Sequence, residues 1–166
     1  ENGNDYPLTD YFTYEEICSS DGGDDDVCFA GSETILLASG VTKTLADVQV
    51  GDMVQVVSAD GSLKFSEVVF LPHSANTQKA TFTELQLASG NSLRATAAHF
   101  DLACECGADA FELTAMKDVT EGSCVQTSDS EDEVSRIASV VDHGVYTLVT
   151  KETSGLVVVN GIRASS

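Results

Sequence analysis

"LADVQVGDMVQ", residues 45–55, and "MKDVTEGSCVQ", residues 116–126, are two versions of one pattern. They match at Asp47/Asp118, Val48/Val119, Gly51/Gly122, Val54/Val125 and Gln55/Gln126, at a constant offset of 71 residues. Each follows a threonine, Thr44 or Thr114, placed to cap a single helical turn, and each runs through a glycine turn into an apolar strand. Two copies of such a unit predict a duplicated β subdomain. The echo sets Cys124 opposite Met53, an apolar strand position, so Cys124 reads as a buried core thiol.

Outward from these segments the chain keeps one rhythm. Short runs rich in Val, Leu and Thr ("TILLA", "MVQVVS", "KFSEVVF", "FTELQLA", "SLRAT", "CVQTS", "SRIASVV", "VYTLVT", "LVVVN") alternate with turn signals such as "ADGS", "ASGN", "TSG" and "NG". The expected class is all-β, with strands too short and too many for a βαβ arrangement. The first 27 residues differ: nine are acidic, none is Lys or Arg, and they end in "SSDGGDDDV". Residues 1–27 read as an acidic tail or linker and residues 28–166 as the folded domain.

The chain has 166 residues, 42% of them hydrophobic, enough for one domain with a core. Its 27 acidic residues against 8 basic ones give a net charge of −19, which repels nucleic acid and anionic membranes. No apolar run approaches the roughly 20 residues that span a bilayer. The opening "ENGNDYPLTD" lacks the basic start and apolar centre of a signal peptide. Cys18, Cys28, Cys104, Cys106 and Cys124 make an odd count, so at least one thiol is free or paired outside the chain. "CEC" at 104–106 lacks the spacing of a zinc knuckle and reads as a loop with two cysteines; no metal or cofactor is expected.

Chemistry is concentrated in two places. In "LRATAAHF" the i, i+3 spacing of Thr96 and His99 turns a hydroxyl and an imidazole toward one point, where they can grip an amide and move a proton. Cys28 supplies a nucleophile, and the nearest carbonyl is that of Val27. Attack there transfers the acyl group from nitrogen to sulfur, giving a thioester and freeing the amine of residue 28. Asp24, Asp25 and Asp26 would raise the thiol pKa, so activation must come from geometry. His143, in "VVDHGVY", has no partner at useful spacing and reads as a surface histidine.

Taken together, "CFAGSETILLASGVTKTLADVQVGDMVQVVSADGSLKFSEVVFLPH", "LRATAAHF" and "GVYTLVTKETSGLVVVNGIRAS" resemble the Hint domain of the Hedgehog (Hog) autoprocessing family, related to inteins. The resemblance covers about 139 residues, 28–166. It implies a Hint fold, a pseudo-two-fold all-β horseshoe, and autocatalytic cleavage of the Val27–Cys28 bond through an internal thioester, with Thr96 and His99 holding and protonating the amide. The substrate would be the chain's own upstream segment. The acceptor would be water, a thiol, or a sterol or other lipid hydroxyl, and the protein a monomer of the secretory pathway or extracellular space.

Three departures modify that expectation. Val27 stands where the Hedgehog pattern has Gly and crowds the carbonyl with a β-branched side chain. Counting from "FSEV", His73 stands where the family places the Asp thought to activate the sterol hydroxyl; a histidine can serve as that base. Ser166 stands where Hedgehog proteins have Cys, and the chain stops where the family's sterol-recognition extension would begin. The ending "NGIRASS" lacks the His-Asn pair of splicing inteins, so cleavage without splicing is expected. The rival reading from another class is a catalytically silent β module serving as a secreted binding or spacer domain; a retained Cys28, Thr96 and His99 argue against it.

Overall fold

A computed structural model describes residues 27–166, and in it the two echoing segments form the same local structure. Leu45–Asp47 and Met116–Asp118 are each one turn of 3₁₀ helix, anchored by the buried Leu45 and Met116. Leu45 N–H donates to Glu33 O at 2.7 Å, and Met116 N–H to His99 O at 2.7 Å. Gly51 and Gly122 then adopt φ of +97° and +86°, which explains the shared glycine. Their N–H groups donate to Val68 O and Val134 O, each at 2.8 Å. The duplication read from the sequence is therefore a duplication of backbone hydrogen bonds. The threonines do not cap as expected: Thr44 Oγ1 donates to the Asp47 carboxylate, and the residue preceding the second turn is Ala115, not Thr114.

Around these turns run, among the described residues, twelve strands: β1 (Phe29–Ala30), β2 (Thr34–Leu36), β3 (Thr42–Thr44), β4 (Met53–Val57), β5 (Leu63–Leu87), β6 (Ser92–Ala95), β7 (Phe100–Glu105), β8 (Glu112–Ala115), β9 (Ser123–Gln126), β10 (Glu131–Thr150), β11 (Leu156–Val159) and β12 (Ile162–Ser165). No α-helix occurs among the described residues, and the all-β class holds. The strands join one hydrogen-bonded network in the order β12-β7-β9-β10-β1-β6-β5-β4-β11-β2-β3, with β8 on β7 and further pairings of β12 with β11 and β10 with β5.

The strand reading was too short in two places. "KFSEVVF" and "FTELQLA" lie in the single 25-residue β5, and "SRIASVV" and "VYTLVT" in the 20-residue β10. Pro72 and Gly144 look like breakers in sequence, yet the ladder absorbs both as irregularities. The register shifts between His143 and Val145, where Gly144 has φ of +80°, and again between Thr147 and Val149, opposite Leu71 and Pro72. β5 and β10 pair antiparallel from Leu87/Val134 to Val68/Thr150 and so run through both halves.

The main core gathers Phe29, Ile35, Val54, Leu93, Leu148 and Ile162, among others. Cys28 belongs to a separate small cluster with Ala30, Phe82 and Val145. Cys124 is buried as expected, but it is no free thiol: it is disulfide-bonded to Cys106 across 18 residues of chain. Cys104 is in β7, not in a loop, directly opposite Cys124 in the ladder, and keeps its thiol. Closing a loop of this size stabilises by about 3 kcal/mol through the unfolded state. Cys106→Ser combined with Cys124→Ser should therefore lower unfolding stability by about 3 kcal/mol in guanidinium titration.

Candidate active site

Cys28 is fully buried, and β1 begins at the next residue. Phe29 pairs with Ala95 of β6 on one side and Tyr146 of β10 on the other, so Cys28 is flanked by the residues that follow Ala95 and Tyr146. Gly31 N–H donates to Gly144 O at 3.1 Å, bringing the end of β1 against the β10 irregularity. A Cβ on Gly31 or Gly144 would lie 2.7 or 2.6 Å from the Tyr146 ring, so both glycines are needed for this approach.

Two threonines converge on the Val27–Cys28 amide. Cys28 N–H donates to Thr96 Oγ1 at 3.0 Å, and Thr96 N–H donates back to Cys28 O at 2.8 Å. Thr147 Oγ1 donates to Val27 O at 2.7 Å and lies 3.4 Å from Cys28 Sγ. The structure thus brings Val27, Cys28 and Thr96 together as the sequence suggests, and adds Thr147. No spacing signal marks Thr147 in "VYTLVT"; only strand register carries it to the site. His73 pairs with Thr147 in the backbone ladder, which puts its position on the neighbouring strand. The Cys28 sulfur is itself disulfide-bonded, so its thiol exists only in the reduced protein. The acidic-tail reading of residues 1–27 lies outside the described residues except for Val27.

His99 closes a tight turn with Thr96, its N–H donating to Thr96 O at 3.0 Å. Its ring is fully buried, 4.0 Å from that of Phe29, centroid to centroid. Nε2 lies 3.0 Å from Ser165 O, and a carbonyl only accepts, so Nε2 carries the proton and Nδ1 keeps its lone pair. Burial lowers the imidazole pKa to about 4 despite that bond, so the ring is neutral at physiological pH. His143 is exposed beside Gly144, as its isolation in sequence suggested.

The turn Thr96–His99 has a twin. Glu33 N–H donates to Ala30 O at 3.2 Å, and Ala30–Glu33 meets its 3₁₀ turn through the same two hydrogen bonds as Thr96–His99. Ala46 N–H to Gly31 O is matched by Lys117 N–H to Ala97 O. Glu33 is therefore the counterpart of His99. Burial pushes its pKa up to about 7, against the backbone N–H of Arg94 bonded to its carboxyl. Asn160 Nδ2 donates to Glu33 and to Ser92 O, while Asn160 Oδ1 accepts from Thr34 N–H and Oγ1–H, which clamps the β11–β12 turn.

The sequence profile of the Hint module matches residues 16–166. This chain belongs to the Hint family. The Hint domain is 29% identical over 151 residues to Warthog protein 6 of Caenorhabditis elegans, covering 87% of this chain and 25% of that protein. It is 31% identical over 144 residues to protein hedgehog of Drosophila yakuba, covering 83% of this chain and 30% of that protein. The chain thus spans under a third of the length of these relatives. Its fold is that of a DnaB intein from Synechocystis sp., with a TM-score of 0.70 at 18% identity, covering 85% of this chain and 99% of the intein. A bacterial intein-like domain from Clostridium thermocellum gives 0.67 at 14% identity, covering 84% and 98%. Self-processing is the activity that membership of this family supports.

One buried group stands outside this arrangement. Asp101, two residues beyond His99 in β7, is fully buried, and neither carboxyl oxygen has a hydrogen-bond partner among the described residues. Burial raises its pKa from 3.8 to about 8, so it stays protonated at neutral pH. The unfolded chain gives up this proton near pH 3.8, whereas the Hint domain keeps it to about 8. The group's stabilisation is therefore complete below the lower value and falls as pH rises toward the upper one. Glu33 falls in the same sense up to about 7, and His99 acts oppositely between about 4 and 6.5. Asp101→Asn should remove about one proton's worth of slope, about 1.4 kcal/mol per pH unit, most fully between about pH 5 and 7, where the unfolded chain has lost the proton and the folded domain keeps it. Urea melts of both proteins across pH 4 to 8 measure it.

Proposed function

We propose that the domain cleaves its own chain between Val27 and Cys28. The reduced Cys28 thiol attacks the Val27 carbonyl, the acyl group moves from nitrogen to sulfur, and an external nucleophile releases the upstream segment from the thioester. The observation that carries this reading is the Cys28 N–H bond to Thr96 Oγ1, one turn from a neutral buried histidine. That bond strengthens as the nitrogen gains positive charge on leaving, which favours the transition state over the ground state.

His99 is read as the proton carrier. Its Nδ1 takes the thiol proton and delivers it to the departing nitrogen; an imidazolium with a pKa near 4 gives the proton up readily. The twin turn supports this aim. Arg94 is to Ala30–Glu33 what Cys28 is to Thr96–His99, and the Arg94 backbone N–H bonds the Glu33 carboxyl. A side chain at the last position of this turn reaches the neighbouring strand's amide.

The acceptor is taken to be water, a small thiol, or a sterol or other lipid hydroxyl, with His73 as candidate base because its position faces Thr147 across the ladder. The Cys106–Cys124 disulfide supports a secretory or extracellular location. The substrate is the chain's own upstream segment, and the domain acts as a monomer.

The test uses a reductant that is a poor acyl acceptor. The chain in tris(2-carboxyethyl)phosphine, given hydroxylamine, should separate into residues 1–27 and a fragment starting at Cys28, followed by mass. Cys28→Ala should abolish cleavage, and His99→Ala should slow it by about 10²–10⁴-fold. Val27→Gly should accelerate it by relieving crowding at the carbonyl. If wild type and Val27→Gly both stay whole, the silent-module reading replaces this one. Replacing His73 should slow release to a sterol acceptor while leaving hydroxylamine cleavage unchanged.

A further inference from the structure

We infer that Thr147 is a catalytic residue, the donor that stabilises the oxyanion formed on Val27 O when Cys28 attacks. This rests on the self-cleavage reading above and assigns a role that the motif residues leave unfilled. Thr96 addresses the nitrogen of the amide. Attack by sulfur puts negative charge on the oxygen, and that oxygen needs a donor already in place.

The geometry supplies one. Thr147 Oγ1 donates to Val27 O at 2.7 Å, the distance of a well-formed O–H···O bond. The same hydroxyl is 3.4 Å from Cys28 Sγ, so it lies beside both the attacking sulfur and the oxygen that takes up the charge. It has a single proton; the carbonyl oxygen is the nearer and stronger acceptor, which leaves the hydroxyl lone pairs toward the sulfur. In the shift the Sγ–C bond forms at Val27, charge moves onto Val27 O, and the C–N bond to Cys28 breaks as the thiol proton passes to nitrogen. The charge on oxygen exists only between those events. A bond present in the ground state at 2.7 Å strengthens there without reorganisation.

The surroundings keep this half-buried donor in place. Thr147 lies between the buried Tyr146 and Leu148 on β10, and its β-branched side chain is stiff at χ1. Cys28 packs with Ala30, Phe82 and Val145, and in apolar company a hydrogen bond to a charged oxygen is worth more than in water. A neutral hydroxyl suits the task, because it donates without adding charge to a site whose base must start neutral to take up a proton.

The experiment compares reduced wild type, Thr147→Val and Thr147→Ser, full chain in each case, with cleavage followed by mass. Thr147→Val, equal in shape and lacking the hydroxyl, should cleave about 10²–10³-fold more slowly. Thr147→Ser should stay within about tenfold of wild type, since it restores the donor. The loss should be equal with hydroxylamine and with dithiothreitol, because the donor acts before the acceptor arrives. In a Cys28→Ala background, Thr147→Val should melt within a few degrees of its parent, which separates lost chemistry from lost fold. Wild-type cleavage with an equally fast Thr147→Val, or a Thr147→Ser as slow as Thr147→Val, overturns the assignment. A wild type and a Val27→Gly variant that both stay whole overturn the self-cleavage reading itself and the assignment with it; where only Val27→Gly cleaves, the same Thr147 comparison is read in that background.

Discussion

The antiparallel pairing of β5 with β10 is the constraint on which the rest of the structure depends. Strands of 25 and 20 residues greatly exceed the usual five or six, and they run through both halves of the duplication. Each half alone would leave an apolar face uncovered. Sharing one ribbon lets Val68, Leu85, Val134 and Leu148 enter a single core with residues from both copies. β1 is only two residues long, and it holds its position because β10 and β6 pair with its two edges. The Val27–Cys28 amide is thus pinned by tertiary pairing and not by any local preference of "VCFAG".

The irregularities in that ribbon set the site. A regular ladder would carry β10 straight past β1; the shift at Gly144 instead lets Gly31 reach Gly144 O under the Tyr146 ring, where neither position has room for a Cβ. Thr147 follows three residues later, turned toward Val27 O. The second shift, beyond Thr147, falls opposite Leu71 and Pro72, next to His73. Barrel rims and active sites are where such shifts concentrate, since they redirect a side chain without ending the strand.

Much of this was legible in sequence because it rests on local chemistry. The echo of 45–55 in 116–126 reports a turn that needs glycine at φ > 0, and TxxH reports a turn that needs four residues. What escaped depends on pairing between distant segments. Thr147 is 120 residues from Val27, and nothing in "VYTLVT" distinguishes its hydroxyl from those of Thr127 or Thr150. The β7–β9 ladder sets Cys104 opposite Cys124, yet the bond to Cys124 is made by Cys106, just past the end of β7, a choice that composition does not encode; in sequence Cys124 is only an apolar-position cysteine. Pro72 and Gly144 lie inside the two long strands, because whether such a residue turns the chain or is absorbed as a bulge is decided by the neighbouring strand. Asp101 could not be flagged either, as a lone aspartate in an acidic chain reads as surface.

The twin turns show how little separates the half proposed to react from its counterpart. Across the Phe29/Ala95 pair, Cys28, Thr96 and His99 face the counterparts Arg94, Ala30 and Glu33 on equivalent backbone. On one side a threonine accepts the amide N–H and the imidazole keeps a free lone pair; on the other the carboxyl itself takes the amide and an asparagine, and its work is to clamp the β11–β12 turn. That clamp is not idle for the reaction. β12 leads from Asn160 and Gly161 to Ser165, whose carbonyl fixes the proton on His99 Nε2. The Glu33 turn therefore holds the strand that sets the tautomer of His99, and under the proposed reaction the duplication divides between its copies the two tasks of carrying the proton and of keeping its carrier in the right tautomer.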